Sequence, residues 1–142
     1  MKKNKLFVEH HYDFDLLGFV TPLKDYKMAW LLNRTLGTKL IKIDDYELEF
    51  LDQTTLAISQ YFQEMEHGFV QLLKNRSVNK TPSAVFLVPE LKMFDYFLLV
   101  QDHTFDVDIN DYIERLSTVV FIQNVVKLDI TKIKSKENLL TY

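Results

Sequence analysis

The sequence contains no cysteine, and it has only three glycines and three prolines among its 142 residues. The absence of cysteine excludes disulfide bonds, thiolate zinc sites and cysteine nucleophiles, and it is typical of proteins of a reducing cytosol. The glycines Gly18, Gly37 and Gly68 are isolated from one another, so neither a dinucleotide-binding nor a phosphate-binding glycine-rich loop occurs. The common kinds of nucleotide chemistry are therefore disfavoured.

The sequence also lacks a long apolar run and a large excess of one charge. Its longest purely apolar stretches, such as Phe97–Val100, are far shorter than the roughly 20 residues that cross a bilayer. Only three apolar residues, Leu6–Val8, follow the basic N-terminus, too few for the core of a secretory signal. Lysine and arginine total 17 against 20 acidic residues, a net charge of −3, so no overall field attracts nucleic acid or anionic lipid. We expect a soluble cytoplasmic protein without membrane contact.

The apolar share of 47% and the charged share of 26% are close to the averages for globular proteins, which argues against disorder. The length suits one domain with a substantial core. We therefore expect a single domain over residues 1–142, with a polar C-terminal tail from about residue 132. Because that tail mixes lysines with Leu139, Leu140 and Tyr142, it is a candidate to add to the sheet or groove of a protein partner.

A first helix is predicted over Pro22–Leu36. Thr21 is a suitable N-cap, proline favours the first helical position, and Gly37 supplies the stop. At about 100° per residue, its apolar side chains sweep a broad arc and leave only a narrow polar strip. We expect this helix to be buried over most of its girth.

A second helix, Ile109–Thr118, is predicted with Asp108 or Asn110 as its cap and one apolar stripe. The predicted strands, in chain order, are Leu6–Leu16, Tyr46–Phe50, Leu56–Phe62, Phe69–Leu73, Ala84–Val88, Phe94–Gln101 and Val126–Ile130. The Ala84–Val88 and Phe94–Gln101 segments are both apolar on two faces, which indicates two central strands. The fold class that follows is α+β, a single domain with a mostly antiparallel sheet of about six or seven strands and two helices packed on it.

One spaced pattern is too particular to be ordinary strand or helix sequence. The run Val88–Tyr96 is Val-Pro-Glu-Leu-Lys-Met-Phe-Asp-Tyr. It resembles the signature of the IPExxxVDY family: Pro89, Glu90, Asp95 and Tyr96 match, whereas Val88 replaces isoleucine and Phe94 replaces valine. The resemblance implies a small bacterial protein of Bacteroidetes-like origin in a housekeeping setting. It brings no activity, cofactor or catalytic residue.

Glu90 and Asp95 are the two acids of this signature, and they allow two interpretations. In the first, the two carboxylates converge across a turn and act as acid and base, with help from Asp102 or His103. In the second, Glu90 accepts hydrogen bonds from turn amides and Asp95 satisfies backbone donors at the start of a buried strand. We favour the second interpretation, in which Val88, Pro89, Phe94 and Tyr96 are also structural.

Two other acidic patterns suggest metal ions, and neither is convincing. The alternating set Glu9, His11, Asp13 and Asp15 has suitable donor atoms, but strand residues two apart are about 6.6 Å apart, so at most two could bind one ion. The sequence Asp106-Val107-Asp108-Ile109-Asn110 resembles the start of a calcium loop but lacks its glycine and its final glutamate. We predict no metal site and no cofactor.

Three function hypotheses remain after these exclusions. The favoured hypothesis is a non-enzymatic interaction or adaptor module with an unidentified protein partner, because no catalytic set is evident and aromatic residues make up 13% of the chain. The alternative is a small hydrolase or ligand-binding enzyme that uses Glu90 and Asp95. A second alternative is weak association with nucleic acid through local lysines, which we do not favour. The oligomeric state is left open.

Overall fold

A computed structural model describes residues 13–49, 55–78, 85–104 and 107–140. The described elements are β1 (Asp15–Val20), α1 (Asp25–Leu36), β2 (Ile41–Glu49), β3 (Thr55–Met65), β4 (Gly68–Lys74), β5 (Tyr96–Asp102), α2 (Ile109–Ser117) and β6 (Asn124–Leu128). Three short 3-10 helices cover Pro89–Leu91, Ile130–Lys132 and Lys136–Leu139. The predicted α+β class, with two helices and an antiparallel sheet, is confirmed.

The six described strands form one antiparallel sheet in the order β2-β3-β4-β5-β1-β6. β5 lies between β4 and β1, as its apolar residues on both faces predict, and Tyr96 to Val100 are all buried. Because successive strand residues point to opposite faces, the strands contribute to two apolar layers, except that β2 contributes only to the second, through Tyr46 and Leu48. Leu98 belongs to the first layer, whereas Phe97 and Leu99 belong to the second.

The two layers have different covers. α1 and α2 cover the first face, where Met28, Leu32 and Leu116 pack against strand residues. The second face is covered by the segment that carries the signature and by the C-terminal residues 130–140, which contribute Val88, Ile133, Leu139 and others. The predicted polar tail therefore contributes Ile133 and Leu139 to the second layer, whereas Lys132 and Lys134 are exposed. Tyr142 lies outside the described residues.

α1 differs from its prediction at its start and in its burial. It begins at Asp25, and Thr21 is not its N-cap, because the Thr21 hydroxyl instead donates to the carbonyl oxygen of Phe121 at 2.6 Å. Gly37 ends the helix as predicted, with φ of 75°, and its amide donates to Asn33. The expectation of nearly complete burial is wrong, since the buried residues of the helix are Met28, Ala29 and Leu32.

Several strand boundaries also differ. Within the predicted Leu6–Leu16 strand, residues up to 12 lie outside the described part, and β1 instead begins at Asp15 and continues to Val20. The described part of Ala84–Val88 forms no strand, because Phe86 makes only an isolated bridge to Arg76. β6 ends at Leu128, and Ile130 starts a 3-10 helix on the second face.

Candidate functional site

The signature Val88–Tyr96 forms a compact loop that leads into β5. Pro89 begins its 3-10 helix, and the amides of Leu91 and Phe94 donate to the carbonyls of Val88 and Leu91, each at 3.0 Å. Val88, Phe94 and Tyr96 are buried, whereas Pro89 and Glu90 are exposed. The buried residues Val88, Phe94 and Tyr96 thus anchor the loop in the core.

Glu90 binds the C-terminal segment. Its two carboxylate oxygens accept hydrogen bonds from the amide of Ser135 at 2.7 Å and from the Ser135 hydroxyl at 2.9 Å. Partial burial on its own raises the pKa of this carboxyl, but hydrogen bonds from its own amide and from Ser135 and Lys134 outweigh burial, and the pKa lies below its usual value. Glu90 therefore holds residues 130–140 onto the second face as an ionised acceptor.

Glu90→Gln is expected to lower the free energy of unfolding by about 1 kcal/mol, the low end for a charge-assisted bond because the side chain is exposed. The contribution is fully present above the unfolded-state pKa near 4.5 and is lost as the pH falls through the lower folded-state value. Urea unfolding across this range should show the difference from wild type vanishing at low pH. Glu114→Gln controls for the removal of one acidic charge, and an effect of Glu90→Gln that persists at acid pH would contradict the assignment.

Asp95 has different partners. Its carboxylate oxygen Oδ2 accepts a hydrogen bond from the amide of Thr21 at 2.9 Å, and its own amide donates to the carbonyl of Phe19 at 2.7 Å. The two signature acids therefore bind separate segments, Glu90 the C-terminal one and Asp95 the connection between β1 and α1. No described hydrogen-bond partner is shared by these two carboxylates.

Asp102 and His103 lie at the opposite end of β5 from Asp95. Seven residues of extended chain separate Asp95 from Asp102, a distance of about 23 Å. Asp102 accepts hydrogen bonds from the amides of Thr104 at 3.0 Å and Val107 at 2.8 Å, which shapes the turn before α2. The catalytic grouping that the enzyme hypothesis needs, Glu90 and Asp95 with Asp102 or His103, is therefore not assembled by the described residues.

The remaining acidic candidates behave as surface or capping residues. Asp13 lies 3.9 Å from Nε2 of His103, in a shallow pocket that Asp15 also lines. Asp108 caps α2 by accepting from the amide of Asn110 at 3.0 Å, as predicted. Among the residues that the structure describes, no group of three or more acids and histidines is arranged to hold a metal ion. Glu9, His11 and Asp106 are outside that part of the chain.

Tyr96 and Asp95 together fix the start of α1. The Tyr96 hydroxyl donates to the carbonyl of Leu23 at 2.6 Å, two residues beyond the Thr21 amide that Asp95 holds. Burial, with smaller effects from nearby carboxylates including Asp25 and Asp95, raises the pKa of this hydroxyl well above its usual value, so it stays a donor. The final two signature residues thus orient the segment that leads into the helix.

Asn75 is the polar residue that sequence analysis missed. It is completely buried, and its side-chain amide donates to the carbonyls of Leu91 at 3.0 Å and Phe94 at 2.9 Å. Its side-chain oxygen accepts from the amide of Val88 at 2.9 Å. Asn75 therefore satisfies the inner backbone of the signature loop. The sequence places it at the start of a polar loop, and no local signal distinguishes it from an exposed turn asparagine.

An apolar groove lies on the outer side of α1. Its volume is about 600 Å³, and it is lined by Leu23, Tyr26, Lys27, Trp30, Leu31 and Phe121. Tyr26 is 55% exposed, Trp30 59% and Phe121 61%, although all three are large aromatic side chains. We call this surface the aromatic groove. The sequence signal for it is an apolar arc on α1 that is broader than one sheet face can cover.

Phe121, which lines the groove opposite α1, belongs to a segment that hydrogen bonds attach to β1 and to the β1–α1 connection. Thr21 donates to the carbonyl of Phe121, the amide of Gln123 donates to the carbonyl of Val20 at 2.8 Å, and Ile122 is buried in the first layer. The residue whose amide Asp95 holds, Thr21, thus ties Phe121 to the β1–α1 connection. The signature loop is therefore connected to the aromatic groove through the hydrogen bonds between Asp95 and Thr21 and between Thr21 and Phe121.

Comparison with known proteins gives no relative from which a function could be transferred. No family model, no curated protein and no solved structure matches the chain. The described residues contain no helix of the length and apolarity needed to cross a membrane. The resemblance of Val88–Tyr96 to the IPExxxVDY family therefore stays a hypothesis.

Proposed function

We propose that this protein is a non-enzymatic interaction module and that the aromatic groove binds its protein partner. The observation that carries the proposal is the exposure of Tyr26, Trp30 and Phe121 around one apolar groove. Aromatic side chains are enriched where proteins bind one another, and tryptophan and tyrosine dominate the binding energy of such interfaces. Covering these apolar side chains with a partner is favourable, by about 25 cal/mol for each Å² of apolar surface removed from water.

The placement of the acids supports binding over catalysis. Glu90 and Asp95 accept hydrogen bonds from backbone amides of two separate segments, and Asp102 shapes a turn at the far end of β5. A general acid and base must both reach one reacting group. The proposal places the protein in the cytoplasm, as the absence of cysteine suggests, and keeps membership of the bacterial IPExxxVDY family as part of the same hypothesis.

Site-specific photocrosslinking is expected to capture a partner at the aromatic groove. A benzophenone amino acid in place of Tyr26 keeps an aromatic side chain at the site, and irradiation in the native host should give a discrete protein adduct. The same amino acid in place of Met93, a residue that is 57% exposed but does not line the groove, is the matched control and should give no such adduct.

The captured protein must then bind the purified full chain in isolation. Because Trp30 is the only tryptophan, binding at the groove should shift its fluorescence to shorter wavelength. Equal adducts at both positions, or no adduct at Tyr26, would reject the groove as the binding surface. A metabolite that raises the melting temperature, and whose effect is lost in Glu90→Gln or Asp95→Asn without loss of stability, would establish the enzyme alternative instead.

A further inference from the structure

The lining of the aromatic groove has the spacing of a helix-packing seam. The five lining residues from the α1 side occupy positions 23, 26, 27, 30 and 31. These positions follow the pattern i, i+3, i+4, i+7 and i+8, which places their side chains on one face of a helix. The other face of α1, with Met28, Ala29 and Leu32, already packs on the sheet. α1 thus has two packing faces, and only one is covered within the described residues.

The dimensions of this seam suit another helix. α1 has 12 residues, which at 1.5 Å per residue is about 18 Å of helix. Phe121 lines the groove opposite α1 and forms its second wall, and the preceding residue in the chain, Val120, is 89% exposed. An amphipathic helix lying in a groove between two walls is a recurring mode of peptide recognition. The surface therefore fits about three turns of a partner helix.

The charged residues on and beside the lining of the aromatic groove are mostly positive, and the neighbouring acid Asp25 accepts a hydrogen bond from the hydroxyl of Ser59 on β3. Lys27 is the one charged residue of the lining, Lys24 precedes α1, and Arg34 lies over the Trp30 ring at 5.4 Å. None of these three cations has an ion-pair partner among the described residues, whereas Lys42 and Arg115 pair with neighbouring acids. Two copies of this surface would bring like charges together, which disfavours self-association through α1.

We infer that the occupant of the aromatic groove is an acidic amphipathic helix of a partner protein. This inference rests on the proposed function and specifies the kind of partner. Apolar residues of the helix pack between Trp30, Tyr26 and Phe121, and its flanking carboxylates lie near Lys24, Lys27 and Arg34. Charge complementarity of this kind sets specificity and speeds association, while the aromatic contacts supply most of the affinity.

Single-stranded nucleic acid is the competing occupant, because bases also stack on exposed aromatic side chains beside basic residues. Such sites need a positive track that follows the phosphate backbone over several nucleotides. Here the positive charge beside the groove is limited to Lys24, Lys27 and Arg34, all on or next to one helix, and the chain is acidic overall with a net charge of −3. The observations favour the protein helix.

Labelled synthetic peptides test the inference on the full chain. The probe is a three-turn amphipathic helix with leucines at one face and glutamates at the flanks, and the matched peptide has lysine at each glutamate position. The acidic peptide is expected to shift Trp30 fluorescence to shorter wavelength and to bind at least about tenfold more tightly than the basic one, with affinity that falls as salt is added. Oligothymidylate should bind more weakly than the acidic peptide.

Variants of the protein locate the effect. Trp30→Ala should weaken acidic-peptide binding roughly 30-fold or more, measured by anisotropy of the labelled peptide. The double variant Lys24→Glu with Lys27→Glu should reverse the preference to the basic peptide, while Lys92→Glu, away from the groove lining, should leave it unchanged. Equal binding of both peptides, no binding of either, or tighter binding of oligothymidylate would overturn the inference. A partner crosslinked at Tyr26 would still uphold the proposed function in each of those cases.

Discussion

Asn75→Leu is expected to destabilise the protein by roughly 3 to 5 kcal/mol, because leucine has a similar size but cannot make the three buried side-chain hydrogen bonds. The amide of Val88 and the carbonyl of Phe94 lose the partner that the Asn75 side chain provides, and the Leu91 carbonyl keeps only its bond from the amide of Phe94. A buried polar group without a partner costs about 1 to 3 kcal/mol. Urea unfolding followed by circular dichroism measures the change.

The neighbouring position supplies the control. Arg76→Ala alters an exposed side chain of the same segment and should change the free energy of unfolding by less than about 0.5 kcal/mol. If Asn75→Leu costs no more than Arg76→Ala, the signature loop does not depend on Asn75. Loss of the Asn75 bonds would also loosen the signature loop, and with it the contacts that Asp95 and Tyr96 make near the aromatic groove.

Gly68→Ala is expected to cost more than about 3 kcal/mol, because the position has no room for a side chain and an unfavourable backbone for one. Gly68 has φ of 158° and pairs with Asp102 across β4 and β5. A Cβ atom there would lie 1.8 Å from the carbonyl oxygen of Gln101 and 2.6 Å from its carbonyl carbon. These are backbone atoms of a central strand, so relief requires that β4 and β5 separate at this end.

Gly37→Ala distinguishes steric overlap from backbone strain. Gly37 has φ of 75° at the end of α1, and nothing lies within 4 Å of the position of an added Cβ. Its replacement should cost only about 1 to 2 kcal/mol, the penalty of a left-handed residue. Thermal unfolding of the two variants should therefore give clearly different losses. Similar values would mean that the β4–β5 end accommodates a methyl group and that its close approach is unimportant.

Features set by local periodicity could be predicted from the sequence. The alternating or continuous apolar runs indicated the antiparallel sheet and placed Phe94–Gln101 at its centre, where β5 lies. The spacing around Ile109 and Leu116, with Asp108 before them, gave α2 and its cap. The prediction of a strand over Ala84–Val88 is wrong. An apolar run indicates that a segment is buried, but it does not indicate that the segment pairs with a neighbouring strand. Its described residues are buried or half-buried beneath the C-terminal segment without joining the sheet.

The aromatic groove could not be predicted from the periodicity of the sequence. The apolar arc of α1 showed that many of its side chains avoid water, but not which side faces the sheet. That arc includes Tyr26 and Trp30, which burial of most of the helix would place in the core. The structure instead exposes them beside Phe121, more than 90 residues later in the chain. Only the packing of α1 on the sheet decides between two apolar faces of one helix.

The sequence by itself determined the class of the fold, the central place of the Phe94–Gln101 strand, the end of α1 at Gly37, the position of α2, and the exclusion of cysteine chemistry and glycine-rich phosphate loops. Tertiary structure decided the partners of the polar residues. Glu90 meets Ser135 across 45 residues, and Asp95 meets Thr21 across 74. Element type depends on neighbours a few positions away, whereas a hydrogen bond between distant segments depends on how the whole sheet brings them together.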